Sequence, residues 1–209
     1  MEQRPSAAGA VRQAFARRVR PGQLLSEESA AIARCCHDMA VRFHRGGTLL
    51  VFGNGGASTD AQHIAVEFVH PVIVGKRALP AMSLTNDVAT VTGVGRREGF
   101  AEVFAHQLRQ LADPHDIALG ISADGRCENV RRGLRAAGEA GLLTVLLSGG
   151  DGAGLVAGDA VDHTIVVRST DPLIVKELHV TVYHVLWELV HVFFEQPGLL
   201  DPPDREAVR

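Results

Sequence analysis

Five short apolar runs recur along the chain, at Leu49–Phe52, Ala81–Leu84, Asp116–Ile121, Leu142–Leu147 and Thr164–Val167. Runs of this length with no polar alternation read as strands covered on both faces, and the stretches between them carry helical spacing. The intervals are too long for hairpins, so the pattern predicts an α/β fold: a five-stranded parallel sheet with helices on both faces. Ser26-Glu27-Glu28 opens a helix through Phe43, with Ile32, Cys36, Met39 and Phe43 on one side and Gly46-Gly47 as its stop. The last helix is expected from Pro172 to Phe194, with Leu173 or Ile174, Leu178, Thr181 or Val182, Val185 and Leu189 as its buried stripe. Val11, Phe15 and Val19 give a looser helical pattern among many arginines. Residues 1–24 therefore read as an N-terminal arm or helix, 25–195 as one domain, and 196–209 as a loose tail.

The 209 residues suit a single domain, and no repeat, low-complexity tract or linker divides them. A formal net charge of −3 gives no basis for direct nucleic-acid binding, which needs clustered Lys and Arg. A small soluble partner fits better. Cys35-Cys36 and Cys127 have neither metal-finger nor disulfide spacing and read as small apolar packers in a reducing cytoplasm. No secretion signal and no membrane-length apolar run is visible, so no membrane partner is expected.

The chemistry concentrates where the first strand ends. Leu49-Leu50-Val51-Phe52 enters the turn Gly53-Asn54-Gly55-Gly56-Ala57-Ser58, and a helix follows. Backbone N–H groups converge there at the positive end of a helix dipole, which makes an anion cradle. The turn lacks the Lys-Ser/Thr ending of a nucleotide P-loop, and Ser58 stands where a dinucleotide fingerprint needs its third glycine. A small phosphate or phosphosugar is what remains. The same helix carries His63 and Glu67 four residues apart on one face. A second strand–loop–helix junction, Ser122-Ala123-Asp124-Gly125 leading to Asn129-Val130, is placed to face the same crevice.

With Gly53-Asn54-Gly55-Gly56, Asp60-Ala61-Gln62-His63 and Glu67, then Val94-Gly95, Gly99-Phe100, Gly120-Ile121-Ser122, Gly125, Asn129-Val130, Glu177-Leu178-His179 and His184, the chain resembles the sugar isomerase (SIS) domain family. Within it the resemblance is to the phosphoheptose (sedoheptulose-7-phosphate) isomerases and their non-catalytic relatives, over about residues 25–195. It implies a homotetramer with sites shared between subunits, and a phosphorylated sugar as ligand. It also implies Glu67 as the base that moves a proton between sugar carbons and His184 as its acid partner. Gly53, Asn54, Gly55, Gly56, Ser58, Ser122, Asp124 and Gly125 are then the phosphate cradle. A zinc site at His63, Glu67 and His184 is implied as well, with Lys176 standing where the family has a glutamine ligand.

The departures from that pattern fall on working positions. The second loop has Ala123-Asp124 where the family carries phosphate-binding hydroxyls, and a carboxylate about 4 Å from a phosphate charge costs roughly 4 kcal/mol at an effective dielectric of 20. Arg96-Arg97 replaces Asn-Asp, Leu173 falls near an expected aspartate, and a protonated Lys176 offers zinc only donors and positive charge. Two functions follow: an aldose–ketose phosphosugar isomerase, or a non-catalytic phosphosugar sensor or tetrameric adaptor.

Overall fold

The computed structural model describes residues 6–150 and 161–200. Five strands, β1 (Leu49–Gly53), β2 (Ala81–Ser83), β3 (Ile117–Ser122), β4 (Leu143–Gly149) and β5 (His163–Val167), form one sheet in the order β2-β1-β3-β4-β5. All four pairings are parallel, with Leu49 opposite both Ala81 and Ile117. The apolar runs are strands because each of their two side-chain sets meets a layer of helices. Leu49 and Val51 join Ile117, Leu119, Val145 and Leu147 against α2 (Ser29–His44), α3 (Gly56–Val69) and α7 (Pro172–Phe194). Leu50, Phe52, Ala118 and Leu146 face the other way, against α4 (Val88–Arg97), α5 (Val103–Leu111) and α6 (Glu128–Glu139). Full burial on both sides removes any reason for polar alternation.

The helix spacing predicted in α2 holds, since Ile32, Cys36, Met39 and Phe43 are all buried and the helix stops before Gly46, whose φ of 89° suits glycine. Its start differs. α1 (Ala7–Glu27) runs through Pro21, and Ser26 ends that helix instead of opening the next: its hydroxyl donates to Gln23 O. Glu28 caps α2 with no side-chain bond. Proline is tolerated in α1 because the carbonyl it leaves without a donor belongs to Arg17, on an exposed turn open to water.

The buried stripe of α7 is also rotated from the expected one. Ile174, Val175, His179, Val182, Tyr183, Leu186, Trp187 and Val190 face the core, whereas Leu173 is 66% exposed and Leu178, Val185 and Leu189 are half-buried. Those three, with Gly22, Leu25 and Ile32, line an apolar groove between α7 and the α1–α2 junction. His179 and His191 look polar in the sequence yet pack inside, because each bonds to main-chain carbonyls: His179 Nε2 to Ser148 O at 3.0 Å, His191 Nε2 to Arg77 O at 2.9 Å. Their burial moved the apparent stripe. Most of the predicted tail, residues 201–209, lies outside the described residues.

Candidate active site at the carboxyl edge of the sheet

Parallel strands deliver their following loops to one edge, and the two expected loops meet there. Gly53 closes β1 in a space that admits no side chain: a Cβ would stand 2.8 Å from Ala57 Cβ and 2.9 Å from Ile121 O. Gly55, at φ 54°, then turns the chain into α3. Asn54 ties the first loop to the second. Its Nδ2 donates to Asn129 Oδ1 at 2.7 Å, and Asn129 Nδ2 donates back to Asn54 Oδ1 at 2.8 Å. This reciprocal amide pair fixes the start of α6 against the glycine turn.

A cavity of about 640 Å³ opens above that pair, lined among others by Asn54, Ser122, Asp124, Arg126, Ser169 and Thr170. Gly56 and Asp60 line a smaller adjoining space of about 290 Å³ together with Leu173 and Lys176. Ser169 and Thr170, from the β5–α7 loop, were not among the sequence candidates. Hydroxyls just before the Asp171-Pro172 helix start are the sequence signal that marks such positions. Ser58 turns its hydroxyl onto Gly55 O at 2.7 Å and so braces the first turn. Asp124 does not extend into the helix that follows. Its Oδ1 accepts from Arg126 N at 3.0 Å and from Ser122 Oγ at 3.4 Å, taking two donors that the loop would otherwise offer an anion. Arg96 and Arg97 sit in the last turn of α4, where they complement the helix dipole and line neither cavity.

The second feature lies lower on the helices. α3 and α7 pack side by side, which brings His63, Glu67 and His184 together with one ligand atom from each within 4.8 Å of the others. His63 Nε2 stands 3.2 Å from Glu67 Oε1 and His63 Nδ1 stands 2.7 Å from Tyr183 Oη, while Trp187 Nε1 donates to Glu67 O at 2.9 Å. Burial raises the Tyr183 phenol to about 12, helped by the negative charges of Asp60 and Glu67, so its oxygen keeps its proton. The expected Lys176 is not in this cluster. It lies about 12 Å before His184 along α7 and donates to Asp60 Oδ1 at 2.6 Å and Gly56 O at 3.0 Å.

Two imidazole nitrogens and a carboxylate oxygen are a zinc donor set with three protein ligands and an open fourth position. Tetrahedral ligands stand about 3.4 Å apart, a separation these side chains reach by small rotations. The residues therefore fit the metal, and Lys176 neither completes nor blocks the set within one chain. Cys35 and Cys36 play no part: burial holds the Cys35 thiol well above its ordinary value and pushes Cys36 up to about 12.

Doubly covered parallel sheet, glycine turn after the first strand, and facing loops at one edge define a sugar-isomerase type of α/β domain; the SIS domain family profile matches residues 15–149, and the chain belongs to that family. Among its relatives is the phosphoheptose isomerase of Solidesulfovibrio magneticus, 38% identical over 193 residues that span 92% of each chain. The fold is also that of the phosphoheptose isomerase structure from Francisella tularensis, with TM-score 0.83 and 28% identity over 90% of this chain and 99% of that one. The Neisseria gonorrhoeae phosphoheptose isomerase superposes with TM-score 0.81 over 88% of this chain and 98% of that one, at 28% identity.

Proposed function

We propose that the protein is a phosphosugar isomerase of the sedoheptulose-7-phosphate type, interconverting a ketose phosphate and an aldose phosphate. The observation that carries this reading is the convergence of His63, Glu67 and His184 on helices whose first turns border the anion cavity. Relatives named phosphoheptose isomerase, matched over most of both chains, support it.

In this reading Glu67 takes the proton from C1 of the ketose while His184 gives one to O2, producing an enediol. Protonated Glu67 then returns its proton to C2 and His184 recovers one from O1, so no atom is gained or lost. Asn54, Gly55, Gly56 and Gly125, with Ser169, Thr170 and the Arg126 side chain, hold the phosphate; Ser58 braces the turn, and Ser122 joins them only when its hydroxyl leaves Asp124. If His63, Glu67 and His184 instead held a zinc ion, it would supply Lewis-acid polarisation of the sugar carbonyl, and Glu67 and His184 would then act as its deprotonated ligands and not as the free base and acid. Arrangement as a homotetramer belongs to the same proposal: Val11, Phe15 and Val19 are 56%, 70% and 55% exposed along one side of α1, a stripe suited to burial between copies. No helix among the described residues is long and apolar enough to cross a membrane. A cytoplasmic location belongs to the same proposal.

Asp124 favours a second reading, because its carboxylate already occupies donors of the phosphate loop. A phosphosugar sensor or protein-binding adaptor would tolerate that. Incubation with sedoheptulose 7-phosphate, followed by product analysis, separates the two. Isomerisation that falls more than about 100-fold in Glu67→Gln, with phosphosugar binding retained, supports the enzyme. Binding without turnover in the unmodified protein supports the sensor.

A further inference from the structure

Tyr183 precedes His184 on α7, about 100° around the helix from it, and points into the core, where it is 2% exposed. From there its Oη reaches His63 Nδ1 at 2.7 Å. Its ring stands edge-on to both imidazoles of the cluster, with centroids 5.4 Å from His63 at 85° and 4.8 Å from His184 at 71°. One phenol thus braces two of the three converging side chains and hydrogen-bonds one of them.

The partner's chemistry matters because neutral imidazole carries a single N–H. With no cation present, His63 Nε2 faces Glu67 Oε1 at 3.2 Å, and the N–H belongs on Nε2. Nδ1 then needs a donor. With a cation on Nε2, the N–H moves to Nδ1, which needs an acceptor. Of the usual outer partners of metal-binding histidines, carboxylates and main-chain carbonyls only accept, and water, which does both, is not covalently held in place. A phenol does both by turning its O–H.

We propose that Tyr183 is a positioning residue that holds His63 in one orientation through both tautomers, so that the cluster stands assembled without a cation and takes one with no flip of the ring, only the small rotations that close the ligand set. This rests on the reading of His63, Glu67 and His184 as a zinc site, made above. Trp187 Nε1 on Glu67 O supports the same face from one turn further along α7.

Tyr183→Phe removes the hydroxyl and keeps the ring contacts, so it tests the bond alone. Nitrogen-resolved NMR of the imidazoles reads the tautomer, and competition against a chelating dye reads zinc affinity. In the unmodified protein His63 is expected as the Nε2–H form without zinc and the Nδ1–H form with it. In Tyr183→Phe the zinc-free ring should show mixed tautomers, and zinc should bind about tenfold more weakly, as for other outer partners. Unchanged His179 and His191 signals report that the core is intact. Equal zinc affinity in the two proteins, one fixed His63 tautomer throughout, or no zinc uptake by the unmodified protein overturns the proposal. None of these readouts uses sugar turnover, so the isomerase reading and this one can fail separately.

Discussion

The ammonium of Lys176 is held 2.6 Å from Asp60 Oδ1, one turn of α3 before His63, and not against Glu67. The sequence suggests that a lysine in place of a glutamine ligand repels zinc, and that Lys176→Gln raises zinc uptake. The ion pair leads to a different expectation. Asp60 is 6% exposed, so the substitution exchanges a charged donor for an amide beside a nearly buried carboxylate. Lys176→Gln should cost about 1–3 kcal/mol of stability in denaturant unfolding and leave the zinc content per chain unchanged. A rise in zinc content would mean that Lys176 does act on the cluster.

Asp124 gives a second expectation. Its carboxylate takes the Arg126 amide and the Ser122 hydroxyl, and it brings a negative charge to a cavity proposed to hold phosphate. Asp124→Ser keeps a short acceptor for the turn and removes the charge. Titration calorimetry with inorganic phosphate or a sugar phosphate should show about tenfold tighter binding, equivalent to about 1.4 kcal/mol. Unchanged affinity would place the anion elsewhere in the cleft.

These two side chains also mark where sequence reading reaches its limit. The strands are legible because burial on both faces leaves an unbroken apolar signature, as at Leu49–Phe52. The start of α7 is legible because Asp171 caps Leu173 N ahead of Pro172, a local signal. Asp60–Lys176, His63–Tyr183 and Asn54–Asn129 join residues remote in the chain, and no periodicity encodes which polar group will meet which. The buried histidines of α7 mislead for the same reason. Their main-chain acceptors, Ser148 O and Arg77 O, come from other elements.

His179 makes stability depend on pH. Burial holds its pKa below the ordinary 6.5, against smaller opposing effects of the Ser148 carbonyl and Asp60, while Lys176 adds to the lowering. As pH falls below 6.5 the unfolded chain takes up this proton before the folded one does. Its contribution is therefore fully present above that pH and is lost as pH falls toward the folded-state value, at up to about 1.4 kcal/mol per unit. Urea unfolding at pH 7.5 and about 5.5 should show the decline. An NMR titration in which His179 protonates at or above its unfolded value would remove this cause.

Cys127 offers a check on where the ligand sits that does not depend on turnover. Cys35 and Cys36 are fully buried, whereas Cys127 is half-buried at the N-cap of α6 and lines the anion cavity beside Arg126. A thiol reagent should therefore modify one cysteine per folded chain, and Cys127→Ser should abolish that reaction. Buried thiols react only after the chain opens, so the fast phase isolates the cavity. A sugar phosphate seated between Asn54 and Thr170 would cover Cys127 and slow its modification in proportion to occupancy. Inorganic phosphate, which fills less of the cavity, should protect less at equal occupancy. Equal reaction rates with and without saturating sugar phosphate would show that the ligand binds away from this edge of the sheet, even if the protein proved to be an isomerase.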